Sequence, residues 1–343
     1  MDRSLLVYDT TTQTFVTGST LQAHVHTGLP YGFKDVLYAP VSELNPEVPS
    51  EIFDCSKTLG ILLWITLAWR FDILYETSLY SKLIHYRKTV NVCNGLKRLG
   101  YYILDNNDSL TFSASNGDTL ELAGFSDASF CNGDELETFV SYIIRLCGGT
   151  LIGRTKSISA VMRCTRDSEL YALMTIIMVI IGLRLMLAEM GLLKKGPTPV
   201  YVDNSAVLDG LNNPKIDRSQ RYSEIRRGWV RQQVQDLLLS IMHCRSESLI
   251  ADSGTKDHNG PAKKNFREIL LGIRQLDEKG FNTLARSTKS SYSTAVTDED
   301  LKVIQSTLVE FSTNTEVFPD TTYETDYNTT YETDYNTTYD GKI

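Results

Sequence analysis

Four carboxylates stand where this chain changes from one kind of segment to another, and their types and spacing could hold divalent cations. Asp127 lies in Gly124-Phe125-Ser126-Asp127-Ala128-Ser129, Glu169 in Ser168-Glu169-Leu170-Tyr171-Ala172, Asp203 in Val200-Tyr201-Val202-Asp203-Asn204-Ser205-Ala206, and Asp252 in Leu249-Ile250-Ala251-Asp252. Each taken singly also fits a helix cap or a solvated surface position. Gathered at one point, they would repel strongly in a medium of low dielectric and would need cations. Oxygen-only ligation suits Mg²⁺ or Mn²⁺. Two such ions roughly 3.5–4 Å apart can activate a water and stabilise the leaving oxygen of a phosphodiester cleaved in line.

Bringing these acids together takes an alternation of strands and helices. Leu122 to Phe130 reads as a strand carrying Asp127, Phe139 to Leu146 as a second, and the Gly148-Gly149 turn leads into a third through Thr150-Leu151-Ile152-Gly153. A long helix from about Arg166 to Met190, which Thr165 can cap, sets Glu169 near its start. Pro199 to Asp203 makes a fourth strand ending on the acid, and Asn204-Ser205 can cap a short helix through Ala206 to Leu211. A basic helix through Arg218 to Gln235, a fifth strand over Leu237 to Cys244 and a helical stretch from Leu249, interrupted near Gly254 and Gly260, complete the series. This order describes an α/β fold, a mixed five-stranded sheet with helices on both faces. If the first and fourth strands are parallel neighbours, Asp127 and Asp203 meet at the sheet centre, and Glu169 and Asp252 close the ring.

Upstream, residues 1 to about 45 show no sustained period. Ile52 to Leu83 reads as two helices broken near Trp69-Arg70-Phe71-Asp72, and Thr89 to Leu99 as a third that Gly100 would cap. Asn106-Asn107-Asp108, between Tyr101-Tyr102-Ile103-Leu104 and Leu110-Thr111-Phe112, reads as a hairpin turn. The resulting division is a mainly helical segment over 1–118, an α/β domain over 119–275 and a polar tail over 276–343. In the tail Thr321-Thr322-Tyr323-Glu324-Thr325-Asp326-Tyr327-Asn328 repeats as an octad without aliphatic residues, so a disordered segment is expected there.

The net charge of −8 over 343 residues excludes a uniformly cationic, nucleic-acid-coated protein, but the acidity is uneven. Between Glu121 and Ile273 there are 19 Lys and Arg against 17 Asp and Glu, whereas Thr297 to the end has 2 against 11. The middle is therefore near neutral and the tail acidic. Six cysteines without close sequence pairs fit reduced thiols, and no zinc spacing occurs. The N-terminus lacks the features of a signal peptide, and the apolar runs Leu59 to Trp69 and Leu170 to Leu183 fall short of the ~20 residues of a membrane span. An intracellular protein without a membrane partner is expected.

The four acidic motifs resemble those of the RNase H domain of copia-type LTR retrotransposon Pol polyproteins. The fourth, running from His243 to Lys256, is the most specific, with Ala251-Asp252 followed by Gly254-Thr255-Lys256. Leu59 to Trp64, Arg70-Phe71-Asp72-Ile73 and Gly95 to Tyr102 are similar to the thumb and connection at the end of the adjoining reverse transcriptase. The chain departs from that pattern in the acidic Asp134-Glu135-Leu136-Glu137 loop, where the family carries a basic element, in Arg221 where His is usual, and in Asp167 in place of Glu. It also lacks the polymerase Tyr-x-Asp-Asp hairpin, so polymerase activity is not implied.

The resemblance implies an RNase H-like fold behind a reverse-transcriptase remnant. It implies a two-metal endoribonuclease that cuts the RNA strand of RNA/DNA hybrids, with Asp127, Glu169, Asp203 and Asp252 as catalytic ligands of Mg²⁺ or Mn²⁺. His243 falls near the position of a proton shuttle. Candidate contacts to the hybrid are Arg154, Lys156, Asn204, Arg226, Arg227 and Arg231, and a solvated basic helix accounts equally for the last three. A reverse transcriptase supplied elsewhere is an implied partner, and the cytoplasm, in a retrotransposon particle, or the nucleus the implied location. The alternative is an inactive or host-reused Pol remnant that only binds nucleic acid or protein.

Overall fold

An antiparallel hairpin opens the chain, β1 (Ser4–Asp9) with β2 (Thr14–Thr20). A helical segment follows: α1 (Phe33–Leu37), α2 (Cys55–Ala68), α3 (Leu74–Leu83) and α4 (Val90–Asp105). Then come β3 (Leu122–Ser129), β4 (Thr138–Leu146), β5 (Gly149–Ile158), α5 (Thr165–Glu189) and β6 (Thr198–Val202). After α6 (Ser205–Asn212), α7 (Arg221–Gln235) and β7 (Leu239–His243), a 3-10 turn over Ile250–Gly254 leads to α8 (Gly260–Leu270). The structure, a computed structural model, describes residues 4–20, 29, 32–113, 119–130, 138–158, 162–212 and 221–276. The acidic Asp134 to Glu137 loop and the octad repeat lie outside these residues, as does all of a second unit, Val296–Ile343.

The sheet is ordered β5-β4-β3-β6-β7, mixed and flanked by helices, an arrangement consistent with an RNase H-like fold. β4 runs antiparallel to β3 and β5, while β3, β6 and β7 run parallel. Alternation along β3 divides its neighbours. Gly124 faces α5, where an added Cβ would overlap Ile180 and Ile176, so glycine lets the helix lie close. Phe125 faces the other way, into a core with Phe71, Leu74, Leu249, Ile250 and Phe266. Asp127, two residues on, shares that second face.

Among the described residues α5 is the one helix long and apolar enough to cross a membrane. Here Leu170, Ala172, Leu173, Ile176, Ile177 and Ile180 are buried, and the helix packs along β3 and β4. That inward face is the face of a core helix against a sheet, while Met178 and Met186 of the same helix are exposed.

The N-terminal helices are joined to the sheet by apolar and ionic contacts. Gly153 of β5 abuts Phe71 and Leu74. Arg70, 1% exposed, is held bidentate by Asp72 at 2.8 Å for both bonds, and the Tyr102 hydroxyl donates to Asp72 Oδ2 at 2.7 Å. Lys263 of α8 pairs with Glu76 of α3, and Arg267 Nη1 donates to Asn106 Oδ1 at 2.6 Å. Cys55 and Cys93, distant in sequence, meet between α2 and α4 with sulfurs 3.1 Å apart.

The hairpin expected around Asn106-Asn107-Asp108 does not form. α4 instead continues through Gly100 to Asp105, because Tyr102 extends the buried row of Leu96 and Leu99 at helical spacing. Gly100 has open space about it and sits inside the helix; it is not a cap. Asn106 terminates the helix, its backbone N–H bonding Tyr102 O at 3.0 Å and its side-chain amide the same oxygen at 2.9 Å. The following residues run alongside other elements, with Thr111 N donating to Leu271 O and Ser113 N to Cys147 O, each at 2.8 Å.

Candidate metal centre

Strand register brings the first two acids together. Gly124 pairs with Val200 and Phe125 with Tyr201 in parallel, so Asp127 and Asp203 each stand three residues beyond a matched pair. Asp252 arrives on the 3-10 turn that covers the same sheet face. One carboxylate oxygen from each of Asp127, Asp203 and Asp252 lies within 4.8 Å of the others. Glu169 stands outside this trio, in the second turn of α5, where it accepts the Ala128 N–H.

The cluster is costly without a cation. Asp127 is 1% exposed, and burial, reinforced by the Asp252 and Asp203 carboxylates, pushes it up to about 7. Burial next to Asp127 and Asp203 pushes Glu169 up to about 9. Asp252 is raised as well, again chiefly by burial. Glu169 Oε2 is buried with no hydrogen-bond partner, the kind of orphaned atom that a ligand would satisfy. Convergent carboxylate oxygens with no nitrogen or sulfur donor in the trio fit a hard divalent cation of the Mg²⁺ or Mn²⁺ class.

Each acid of the trio has one oxygen held by a donor from a single segment. Ser246 Oγ donates to Asp203 Oδ2 at 2.7 Å, Thr255 Oγ1 to Asp127 Oδ2, and Lys256 Nζ to Asp252 Oδ1. These three donors, and His258, whose Nε2 lies 3.2 Å from the Asp252 carbonyl oxygen, were not among the candidate site residues. Thr255 and Lys256 belong to the fourth motif and were legible there. Ser246 also falls inside that motif, without a role of its own, and nothing local marks His258.

The remaining candidates are distributed as follows. His243 ends β7 with Nε2 3.0 Å from the Asp203 carbonyl oxygen; a carbonyl only accepts, so Nε2 carries the proton in that contact. Asn204 Oδ1 accepts the Ala206 N–H at 3.0 Å and caps α6. Arg154 and Lys156 are exposed on edge strand β5, and the register Asp127↔Ser141↔Thr155 puts both on the sheet face opposite Asp127. Arg226 stacks over the Tyr171 ring at 5.4 Å. Arg227 is 6% exposed and paired with Glu224, while Arg231 donates to the Leu211 and Gly210 carbonyl oxygens at 2.8 and 2.6 Å. Arg231 thus ties α7 to the end of α6, whereas the Arg227 pair lies within α7.

Fold and site together describe an α/β protein with a carboxylate centre compatible with a metal, on an RNase H-like sheet. The comparisons find similarity to one group of proteins. The chain is 25% identical over 206 residues to the retrovirus-related Pol polyprotein from transposon RE2 of Arabidopsis thaliana, covering 60% of this chain and 14% of that protein. It is 25% identical over 231 residues to that from transposon RE1 of the same plant, covering 66% and 16%, and 24% identical over 203 residues to that from transposon TNT 1-94 of Nicotiana tabacum, covering 59% and 15%. The chain thus spans about one-seventh of the length of these curated relatives. No family model matches it. No solved structure matches it either.

Proposed function

We propose that this protein is a metal-dependent endoribonuclease that hydrolyses the RNA strand of RNA/DNA hybrids and derives from a retrotransposon Pol protein. The convergence of Asp127, Asp203 and Asp252 from three separate elements, with Glu169 close behind, carries this proposal. Similarity to Pol polyproteins supports the substrate class. The order of the acids, with Glu169 on a helix between the strand acids Asp127 and Asp203, matches the RNase H motifs that the chain resembles.

When bound, divalent cations would supply water activation and charge stabilisation at the leaving oxygen. The residues of the chain do the rest. Asp127, Asp203 and Asp252, with Glu169 behind them, would hold the ions; Thr255 and Ser246 fix one oxygen each on Asp127 and Asp203 and so leave the others to face the centre. His243 keeps its Nε2 proton on the Asp203 carbonyl, which leaves Nδ1 to exchange a proton with a leaving group or solvent. Arg226, stacked on Tyr171 two residues from Glu169, is the proposed phosphate contact; Arg154 and Lys156, on the sheet face opposite Asp127, are left out of that role.

The test is cleavage of an RNA/DNA hybrid, labelled on its RNA strand, by the purified protein in Mg²⁺ or Mn²⁺. Wild type is expected to cut the RNA strand, and Asp203→Asn and Asp127→Asn to leave it whole. A hybrid left equally intact by all three rejects the nuclease and leaves a protein that at most binds nucleic acid or a partner.

A further inference from the structure

We propose that Lys256 is the resident cation of the acid cluster: in the metal-free protein its ammonium supplies the positive charge the carboxylates require, and it gives up that role when a divalent ion enters. The second half rests on the metal site proposed above; the first does not.

The geometry is specific. Lys256 lies four residues after Asp252, just past the 3-10 turn, and its Nζ pairs with Asp252 Oδ1. Of the three donors that hold the trio, Ser246 and Thr255 are neutral hydroxyls and Lys256 alone carries charge. Three carboxylates with oxygens within 4.8 Å of one another cannot all ionise without a compensating cation. The charge of Lys256 also favours ionisation of Asp127 and of Glu169, so its influence extends past its immediate partner.

The side chain is built to leave. It is 44% exposed, whereas Asp252 beside it is 9% exposed, so the ammonium can swing into water on its flexible stem while the acid stays. A divalent ion at the trio would repel it. By reciprocity, whatever factor the metal exerts on the Lys256 contact, Lys256 exerts on metal affinity.

The experiment uses wild type, Lys256→Met, Lys256→Arg, Asp252→Asn and the Lys256→Met/Asp252→Asn double variant. Thermal unfolding is followed by circular dichroism in EDTA, and Mn²⁺ binding to wild type and Lys256→Met by calorimetry. In EDTA, Lys256→Met is expected to lower Tm by roughly 3 °C or more, Lys256→Arg to restore it, and the loss to vanish in the Asp252→Asn background. Mn²⁺ is expected to bind Lys256→Met about tenfold more tightly than wild type. An unchanged Tm in EDTA, or the same loss with and without Asp252, overturns the counter-ion role. Equal Mn²⁺ affinity of the two proteins overturns the displacement. If neither binds Mn²⁺ while the Tm cycle behaves as expected, Lys256 stands as the counter-ion and the proposed nuclease falls.

Discussion

The Thr255 hydroxyl donates to Asp127 Oδ2, joining two residues 128 apart in the chain across the face of the sheet. That bond favours the ionised form of Asp127, whereas burial favours the neutral one, and burial is the larger effect. Thr255→Val removes the donor at little change in volume. It is expected to cost about 1–2 kcal/mol, and the cost should be greater at pH 9, where Asp127 is ionised, than at pH 5, where it is not. Urea unfolding at the two pH values measures this; an equal cost at both means that the hydroxyl does not serve the carboxylate.

The raised carboxyl groups also set a pH dependence for the metal-free protein. Asp127 at about 7 and Glu169 at about 9 bind protons more tightly when folded than when unfolded. Their contribution to stability is full below the unfolded values near pH 4 and is lost as pH rises through about 7 and then about 9. In EDTA, Tm is therefore expected to fall between pH 5 and 9. Asp127→Asn should flatten the lower part of that fall and Glu169→Gln the upper part, and Mn²⁺ should oppose it. A decline that neither substitution alters would mean that other groups carry it.

Much of the sheet was legible because its signals are local. The apolar runs of β3, β4 and β6, the length of α5 and the acid that closes each motif are all patterns within a few residues. The parallel pairing of β3 with β6, expected as a condition for bringing Asp127 to Asp203, is present in the register Gly124↔Val200. What escaped depends on partners far away in the chain. Asn106-Asn107-Asp108 carries ordinary turn chemistry, and only the tertiary burial of Tyr102 shows why the helix persists to Asp105. Arg227 and Arg231 read as free basic groups on a helix until Glu224 and the end of α6 are seen to engage them. The six cysteines read as scattered, yet Cys55 and Cys93 meet in space.

The Arg70–Asp72 pair lies between the start of α3 and the end of α4, and both side chains are buried. Both Asp72 oxygens are engaged by Arg70, and Oδ2 also accepts from Tyr102. Breaking such a pair from one side leaves an uncompensated charge. Asp72→Ala is therefore expected to destabilise the protein by about 3–5 kcal/mol, while replacing Arg70 and Asp72 together by Met and Leu should cost much less. Chemical denaturation of the three proteins decides this, and a single variant no worse than the double would show that the charge pair is dispensable.

Gly254 explains how Asp252 reaches the other acids. It ends the 3-10 turn two residues after Asp252, and an added Cβ would overlap Ser141 Oγ and Thr155 Oγ1. Ser141 is the registered partner of both Asp127 and Thr155, so the turn lies directly on the part of the sheet that carries Asp127. A side chain at this position must lift the turn, and Asp252 with it. Gly254→Ala is accordingly expected to cost about 1–3 kcal/mol in stability and to weaken Mn²⁺ binding. Ser141→Gly added to Gly254→Ala removes one of the two obstructing hydroxyls and should recover part of both losses. Denaturation and calorimetry on the single and double variants measure the two effects. If Gly254→Ala matches wild type in both, the turn does not lie that close to the sheet, and the route by which Asp252 joins Asp127 has to be sought elsewhere.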